Sequence, residues 1–219
     1  IHNEGDSIGS PDWGESKYWF YKNLRVHYRV TGLEANPPIV LIHGFGASSD
    51  HWRNNADFFA SKGFRIYGID LIGFGRSEQN LPEKINSLDN QFWSNQLSSF
   101  LDEIVEIKKN GKVILIGNSL GALTAITTLS QRPELIETLI AAPLPEPVFI
   151  NPIKPLFPNW ISKIYSFLIK LFFHLFPIKA LVNLISRTKL ITLALQSAYF
   201  RSISNDNLLK RIVTVPARR

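Results

Sequence analysis

The chain of 219 residues contains no cysteine and no methionine. The absence of cysteine excludes a disulfide framework and thiol catalysis, and it leaves the redox compartment open. A complete translation product normally begins with methionine, whereas this chain begins with Ile1. We therefore expect a fragment or a processed form, in which the lack of a signal peptide carries little information.

Acidic residues are almost missing from the last third of the chain. Residues 147–219 contain 11 Lys and Arg but a single acid, Asp206, whereas residues 1–146 contain 13 Lys and Arg against 17 Asp and Glu. The net charge of +6 is the sum of −4 for residues 1–146 and +10 for residues 147–219. Such asymmetry indicates contact with an anionic surface, usually nucleic acid or a membrane.

A short buried strand, a glycine-rich turn and a helix form the most informative stretch. The apolar run Val113–Ile116 is typical of a strand, and the segment after it is Gly117-Asn118-Ser119-Leu120-Gly121. A helical pattern follows until Pro133. Between a strand and a helix, a G-x-S-x-G pattern forms a sharp turn that exposes the serine hydroxyl. Glycine is needed two residues before and after the serine, because larger side chains there would collide. The stretch predicts that Ser119 is a nucleophile; the alternative is an idle serine in a structural turn.

Strand and helix signals alternate along residues 17–146, which predicts a mostly parallel sheet covered by helices on both faces. The expected strands are Tyr18–Tyr21, Leu24–Val30, Ile39–Ile42, Arg65–Asp70 and Thr138–Ala142, besides the strand before Ser119. One helix is expected to contain Trp52, Phe58 and Phe59, with a cap at Ser48, Ser49 or Asp50 and an end at Gly63. A second is expected to begin near Phe92 and to stop at Asn110-Gly111. In the hairpin strand Leu24–Val30, strict alternation predicts that His27 is exposed on the wet face.

Three segments, taken in order, resemble the α/β-hydrolase superfamily. They are His43-Gly44-Phe45-Gly46 after one strand, Asp70-Leu71-Ile72-Gly73-Phe74-Gly75-Arg76-Ser77 after the next, and the Ser119 turn. The detail of residues 43–53 and 117–121 is similar to the cyanobacterial and plant branch that includes pheophytinase and chlorophyll dephytylase. Haloalkane dehalogenases and epoxide hydrolases share the 70–77 pattern but carry aspartate at the nucleophile position, so that Ser119 favours acyl transfer.

The resemblance implies an α/β-hydrolase fold with a helical cap insertion, and it implies roles for individual residues. The backbone N–H groups of Phe45 and Leu120 would form an oxyanion hole. Gly44 and Gly46 would let the loop approach the substrate, and His43 would brace that loop, with a general-base role as the alternative. Asp70, Gly117, Asn118 and Gly121 would support the two turns. No cofactor and no metal are implied.

The rest of the catalytic triad is the main departure from the family. The family order is serine, acid, histidine, with the last two after late strands, and no such strand signals follow Ala142. Only His174 follows Ser119, in an apolar segment, and Glu146 is a weak candidate acid. We expect that the chain ends inside the cap, that the triad acid and histidine lie beyond Arg219, and that this fragment is a poor enzyme.

The basic segment contains the apolar run Ile161–Phe176, with Lys163, Ser166, Lys170 and His174 on one narrow face. The run is shorter than the roughly 20 residues of a membrane span, and two lysines interrupt it. Such a helix fits either an interfacial segment on an anionic bilayer or a buried lid over the site, and both remain open. A nucleic-acid partner is disfavoured because the aromatic residues lie in an aliphatic stripe.

These observations predict a mobile lead-in (1–16), an α/β-hydrolase core (17–146) and an incomplete cap (147–219). The predicted activity is serine hydrolysis of a lipophilic carboxylic ester, with a phytyl ester of a chlorophyll derivative as one candidate. The alternatives are a non-catalytic, membrane-attached binding module and another serine-hydrolase chemistry, such as C–C hydrolysis or cofactor-free peroxidation. The predicted location is the cytoplasm, with peripheral attachment to a thylakoid-like membrane left open.

Overall fold

The computed structural model describes residues 13–82 and 88–142. The chain divides into two units, Ile1–Leu144 and Pro145–Arg219, and every described residue lies in the first. The predicted cap with its run Ile161–Phe176, His174 and the candidate acid Glu146 lie outside the described residues. The proposed limits of the lead-in and the cap stay predictions.

Six strands form one sheet in the order β1-β2-β4-β3-β5-β6. Strand β2 pairs antiparallel with β1 and β4, while β4, β3, β5 and β6 run parallel to one another. The mostly parallel sheet with flanking helices confirms the predicted fold class. The strands are β1 (Glu15–Tyr21), β2 (Leu24–Thr31), β3 (Pro38–Ile42), β4 (Arg65–Ile69), β5 (Val113–Gly117) and β6 (Ile136–Ala141).

The hairpin between β1 and β2 turns through two residues with positive φ, Lys22 (50°) and Asn23 (62°). Positive φ at both central positions defines a type I′ turn, whose twist matches that of the flanking strands. The predicted hairpin across Lys22-Asn23 is therefore present, although β1 begins three residues earlier than the aromatic run indicates.

Four α-helices pack on the sheet: α1 (Ala56–Ser61), α2 (Asn90–Glu103), α3 (Ile107–Asn110) and α4 (Leu120–Gln131). Short 3-10 helices occupy Ser49–Trp52 and Pro133–Leu135. The expected single helix from Asp50 to Phe59 is wrong, since a 3-10 turn and α1 replace it. The reason is that Asp50 does not cap a helix; its carboxylate instead accepts hydrogen bonds from Arg29 Nε and Arg76 Nη1, each at 2.9 Å.

Helix α2 begins at a capping residue, because the Asp89 side chain accepts a hydrogen bond from the backbone N–H of Phe92 at 2.8 Å. Its apolar face, which includes Trp93, Leu97 and Phe100, is buried on the sheet, as the helical spacing predicts. The expectation that one helix runs to Asn110-Gly111 is wrong, because α2 ends at Glu103. Glu106 then has a left-handed conformation (φ 53°), which breaks the helix, and residues up to Asn110 form the separate turn α3.

The prediction that His27 is exposed is wrong, because its side chain is completely buried. Arg29, on the same face of β2, is also buried. Val26 and Tyr28, on one face of β2, join the larger core cluster. The other face is covered by segments that pack on it, since His27 contacts Asp70 and the ring of Tyr18, and Arg29 contacts Asp50 and the Trp13 carbonyl. An alternating pattern describes a strand with one wet face, and this interior strand has none.

Within the two described ranges, no helix has the length and apolar character needed to cross a bilayer.

Candidate active site

The candidate site lies at the carboxyl ends of β3 and β5, which are neighbouring parallel strands. After these two strands the chain continues toward opposite edges of the sheet. From β3 the chain continues to β4 on one side, and from β5 it continues to β6 on the other side. In open α/β sheets such a switch point opens a crevice at the carboxyl ends of the strands, where ligands bind. His43-Gly44-Phe45-Gly46 follows β3 and Ser119 follows β5, so both sequence-predicted segments meet at this crevice.

Ser119 has a strained backbone conformation at the start of α4, with φ 52° and ψ −112°. Non-glycine residues rarely adopt such angles unless the surrounding structure enforces them, and such strain clusters at functional sites. Backbone hydrogen bonds before and after Ser119 hold it in this conformation. The Asn118 N–H bonds to the Ile42 carbonyl at 3.0 Å, while the Ser119 carbonyl accepts from the N–H groups of Ala122 and Leu123 at 3.0 and 3.1 Å. The side chain of Ser119 is half-buried.

The two glycines of the turn sit where no side chain fits. A Cβ atom placed on Gly117 would lie 2.5 Å from the Gly121 carbonyl oxygen, and one placed on Gly121 would lie 2.6 Å from the His43 carbonyl oxygen. The turn therefore packs backbone to backbone against the end of β3, which brings the loop after β3 next to the serine.

Gly44 is the closest point of that loop to the serine. A Cβ on Gly44 would lie 3.3 Å from Ser119 Cβ and 2.7 Å from Asn118 Oδ1. Across residues 13–82 and 88–142, the N–H groups of Phe45 and Leu120 donate no hydrogen bond. Leu120 opens α4, where backbone N–H groups lack intrahelical acceptors and carry the positive end of the helix dipole. Leu120 directly follows Ser119, and Phe45 directly follows Gly44, while the oxyanion-hole role of both residues stays a prediction.

His43 is buried, and both of its ring nitrogens bind backbone atoms. Nε2 accepts the N–H of Leu71 at 3.0 Å, so Nδ1 carries the proton and donates it to the Gly44 carbonyl at 2.7 Å. Burial lowers the pKa of His43, with the charge of Asp70 acting in the opposite direction. A neutral ring engaged on both sides favours the loop-bracing role over that of a general base.

Asp70 connects three segments around the site. Its Oδ1 accepts the N–H of Ser49 at 2.6 Å, and its Oδ2 accepts the N–H of Arg76 at 2.8 Å and Nδ1 of His27 at 2.9 Å. Burial alone would raise the pKa of this carboxyl, but the hydrogen bond and charge of His27, the charge of His43 and the Arg76 N–H bring it to about 2. Asp70 is therefore an ionised anchor for the loop that follows β4.

His27 is the residue that the sequence pattern misses. Its position in an alternating strand indicates solvent, and only the placement of β2 beside the end of β4 brings it to Asp70, 43 residues away. The one available signal is the buried acid itself, since a carboxylate in a folded core requires cationic or N–H partners.

Three aromatic rings form an apolar wall beside the loop after β3. The rings of Phe45 and Phe74 are 5.3 Å apart, and those of Phe74 and Trp93 are 5.8 Å apart. Phe45 is 77% exposed, which is unusual for a phenylalanine within a packed aromatic group. Trp93 at the inner end of the wall is buried, so Phe45, next to Gly44 in the loop, offers most of the wall's exposed apolar surface.

The partner that would take the proton of Ser119 is not found in the described part of the chain. Within residues 13–82 and 88–142, Oγ of Ser119 makes no hydrogen bond to a histidine. The candidates Glu146 and His174 lie outside those residues. In the same described ranges, no group of three or more His, Asp or Glu side chains is placed to hold a metal ion.

Comparison with curated proteins gives relatives of several hydrolase types. The AB hydrolase superfamily protein YfhM of Bacillus subtilis (strain 168) is 30% identical over 146 residues, which cover 65% of this chain and 48% of the relative. Epoxide hydrolase 1 of Caenorhabditis elegans is 29% identical over 146 residues, or 67% of this chain and 34% of the relative. The 2-hydroxy-6-oxononadienedioate/2-hydroxy-6-oxononatrienedioate hydrolase of Burkholderia vietnamiensis (strain G4 / LMG 22486) is 33% identical over 120 residues, or 53% of this chain and 39% of the relative. The chain spans between a third and a half of the length of these proteins.

Solved structures give the same fold at lower identity. An α/β hydrolase fold protein from Burkholderia ambifaria matches with a TM-score of 0.64 at 18% identity, covering 92% of this chain and 66% of that chain. The thioesterase domain from the curacin biosynthetic pathway matches with a TM-score of 0.59 at 20% identity, covering 94% and 67%. The profile of the alpha/beta hydrolase fold family matches residues 37–209, most of the sequence. With the sheet order, the strained turn at Ser119 and this match together, the chain belongs to the alpha/beta hydrolase fold family.

Proposed function

We propose that the protein is a serine hydrolase that acts on lipophilic carboxylic esters. The observation that carries this proposal is the strained Ser119, held at the switch point with Gly44 close beside it. Strain of this kind exposes a nucleophile, and the neighbouring N–H groups supply donors where negative charge develops.

In the proposed reaction Ser119 Oγ attacks the ester carbonyl carbon, and the carbonyl oxygen becomes an oxyanion. The N–H groups of Phe45 and Leu120 bond that oxygen, and the N-terminus of α4 adds its dipole. The alcohol leaves with the proton of the serine, carried by a base outside the described residues. Water then hydrolyses the acyl-serine and returns the proton to Oγ.

The apolar wall of Phe45, Phe74 and Trp93 supports a lipophilic substrate, since it offers aromatic surface beside the nucleophile. An acyl chain or an isoprenoid alcohol laid on this wall would bury apolar area without leaving polar groups unpaired. A phytyl ester of a chlorophyll derivative is the candidate that the sequence resemblance suggests.

Hydrolysis of a carbon–carbon bond is the second candidate. It is favoured by the relative of 33% identity, whose name gives a 2-hydroxy-6-oxo diacid as the compound hydrolysed. Epoxide hydrolysis is disfavoured, because epoxide hydrolases resemble this chain less at the nucleophile turn, where they carry aspartate in place of Ser119.

We further propose that residues 147–219 attach the protein to an anionic membrane surface. The support is compositional: 11 basic residues and one acid in this segment.

The proposed activity is tested on the complete reading frame that contains this sequence. We expect hydrolysis of p-nitrophenyl esters, with a preference for long over short acyl chains, and a loss of at least about a thousandfold in kcat for Ser119→Ala. Ser130→Ala is the matched control, because Ser130 is exposed on the same helix and its hydroxyl only donates to the Thr127 carbonyl.

Unchanged turnover in Ser119→Ala would remove the serine from the mechanism. No turnover of esters by the complete protein, together with turnover of a 2-hydroxy-6-oxo diacid, would select the second candidate. No turnover of either class would favour a binding module that keeps the fold. For the chain of 219 residues alone, we expect ester turnover near background.

A further inference from the structure

A Ser–His–Asp arrangement lies at the β1 edge of the sheet, between β1, β2 and the end of β4. The Ser16 hydroxyl lies 2.8 Å from Nε2 of His27, and Nδ1 of the same ring lies 2.9 Å from Oδ2 of Asp70. Strands β1 and β5 are separated by four strand spacings, or roughly 19 Å. This group is therefore distinct from the site at Ser119.

The strand register explains why the three side chains meet. Ser16 pairs with Arg29 and Tyr18 pairs with His27, so Ser16 is the diagonal neighbour of His27 on the same face of the hairpin. The backbone N–H of Asp70 bonds to the His27 carbonyl at 3.0 Å, which extends the β2–β4 pairing and sets the carboxylate beside the imidazole.

The proton positions follow from the partners. An ionised carboxylate only accepts hydrogen bonds, so Nδ1 of His27 must carry a proton. With Nδ1 as the protonated nitrogen, Nε2 can accept the hydroxyl hydrogen of Ser16, 2.8 Å away. This is the proton arrangement that makes an imidazole a general base toward a serine.

Asp70 is well placed to stabilise a positive charge on that imidazole. Its carboxylate is completely buried and accepts two backbone N–H groups in addition to Nδ1 of His27. An imidazolium formed when His27 removes a proton from Ser16 would therefore face an ionised carboxylate that does not itself become protonated.

The serine is reachable from solvent while its base is not. Ser16 is exposed on β1, which is an edge strand of the sheet within the described residues, whereas His27 is completely buried beneath it. An edge strand directs alternate N–H groups outward, and these are donors for an oxyanion. Next to Ser16 on the same face, Tyr18 packs edge-on against His27 at 5.3 Å, and the 64%-exposed ring of Phe20 continues an apolar ledge.

We propose that Ser16 is an acyl-acceptor site: it takes an acyl group from an activated ester or thioester, with His27 as the base and Asp70 as its positioning residue. Ser16 Oγ forms a bond to the carbonyl carbon while its proton moves to Nε2 of His27. The bond from that carbon to the leaving oxygen or sulfur breaks, and the departing group takes the proton from Nε2. The products are acyl-Ser16 and an alcohol or thiol, with no redox partner.

The adduct persists because the base is buried. Deacylation needs a water molecule beside Nε2, but His27 is completely buried and the acylated serine would occupy the position next to Nε2. Ser16 is thus a site of stoichiometric modification, and slow overall turnover by this chain is compatible with it. An apolar acyl group on Ser16 would lie along Tyr18 and Phe20.

The test uses the chain of 219 residues with Ser119→Ala, which removes the other nucleophile. The protein is treated with p-nitrophenyl acetate or with a fluorophosphonate probe, and modified serines are located by peptide mass spectrometry. We expect Ser16 to be labelled at least about 100-fold faster than Ser61 and Ser130, since a positioned general base contributes about that factor or more. Both comparison serines are exposed, and their hydroxyls donate only to backbone carbonyls.

Further variants separate a reactive serine from a structural hydrogen bond. Ser16→Ala should lose the label, and His27→Gln should slow labelling of Ser16 to the rate of the comparison serines while circular dichroism shows a folded protein. If Ser16 reacts no faster than Ser61 and Ser130 in the same digest, the proposal is wrong, whatever the fate of the His27 variant. Labelling at the same rate in folded His27→Gln would also overturn it. Neither result tests the role of Ser119, because alanine replaces that serine in all of these samples.

Discussion

The carboxyl of Asp70 is buried together with most of its partners, so its ionisation is coupled to folding. Its pKa in the folded protein is about 2, whereas the ordinary value is 3.8. The folded state therefore binds a proton less readily than the unfolded chain does. The stabilisation from this group is fully present above the ordinary value and is lost as the pH falls from there toward 2.

We expect the free energy of unfolding to fall by about 2 kcal/mol through this group between about pH 5 and about pH 2. In Asp70→Asn this part of the pH dependence should be absent, although the variant is less stable at neutral pH because hydrogen bonds are lost. Urea denaturation across that pH range measures it. Asp57→Asn, at an exposed position on α1, is the control and should keep the wild-type slope. An Asp70→Asn curve parallel to the wild type would contradict the assignment.

Two glycines with similar backbone angles allow crowding to be separated from backbone strain. Gly75 (φ 57°) and Gly46 (φ 69°) both have left-handed conformations. A Cβ on Gly75 would lie 2.6 Å from Cγ of Asp70, whereas a Cβ on Gly46 would meet nothing within 4 Å. Gly75→Ala must displace the loop anchor, while Gly46→Ala only places alanine in an unfavourable region.

For Gly46→Ala we expect a loss of about 1–2 kcal/mol in the free energy of unfolding, the usual cost of a left-handed alanine. Gly75→Ala should cost at least about 2 kcal/mol more, because the clash adds to the same strain. Equilibrium denaturation of the two variants side by side measures the difference. Equal losses would show that Asp70 can move aside and that the loop is less tightly built than its hydrogen bonds indicate.

At the scale of elements, the break between α2 and α3 is maintained by one unfavourable residue. Glu106 has a φ of 53°, and the one ion pair of its side chain within the described residues is an exposed one with Lys109 at 3.7 Å. Exposed ion pairs contribute little to stability. The conformation is thus imposed by the packing of Val105 and Ile107, both buried, on either side of it.

Glu106→Gly should raise the free energy of unfolding by about 0.5–1 kcal/mol, since glycine adopts this conformation without strain and the gain exceeds the entropy it loses on folding. Glu106→Ala is the matched control: it removes the same carboxylate but keeps the strain, so no increase is expected. Thermal and urea denaturation of both variants measure the change in the free energy of unfolding. A stabilising alanine would mean that the carboxylate, and not the backbone angle, is unfavourable.

Elements also determine how the polar network is assembled. The 3-10 helix Ser49–Trp52 and the loop after β4 are both fastened to β2, the first through Asp50 and Arg29, the second through Asp70 and His27. Buried charges of this kind are retained only when they are paired. One face of β2 therefore carries the polar residues that anchor these two segments, which border the crevice at Ser119.

At the scale of the whole molecule, the division of charge is the feature that the described residues leave unexplained. Residues 147–219, outside the described part, should bind anionic lipid vesicles better than neutral ones, because each Lys or Arg near the surface contributes about 1 kcal/mol. Added salt should weaken the binding without abolishing it, since apolar burial survives screening. Charge reversal at Lys163 and Lys170 should reduce it while the core stays folded.

Co-sedimentation with vesicles of phosphatidylcholine alone, and with added phosphatidylserine, measures this preference. A matched control is charge reversal at Lys108 and Lys112, which lie in the first unit of the chain and should leave binding unchanged. Equal sedimentation with both vesicle types, or with neither, would show that Ile161–Phe176 is an ordinary lid.

The sequence by itself determined the elements and the nucleophile turn, because these depend on neighbours along the chain. Apolar runs placed the strands, Asn110-Gly111 marked the end of a helix, and the glycines around Ser119 indicated a turn that the structure forms. Local sterics and periodicity are sufficient for such features.

Only the tertiary structure decided where the polar side chains of β2 go. His27 meets Asp70 across 43 residues of sequence, and Arg29 meets Asp50 across 21. Alternation along a strand states which residues share a face, but it cannot state whether that face is covered, since coverage depends on which strands and loops arrive from elsewhere. The 3-10 helix with Asp50 and the loop that begins at Asp70 supplied that cover, and the β1–β2 register supplied the contact between Ser16 and His27.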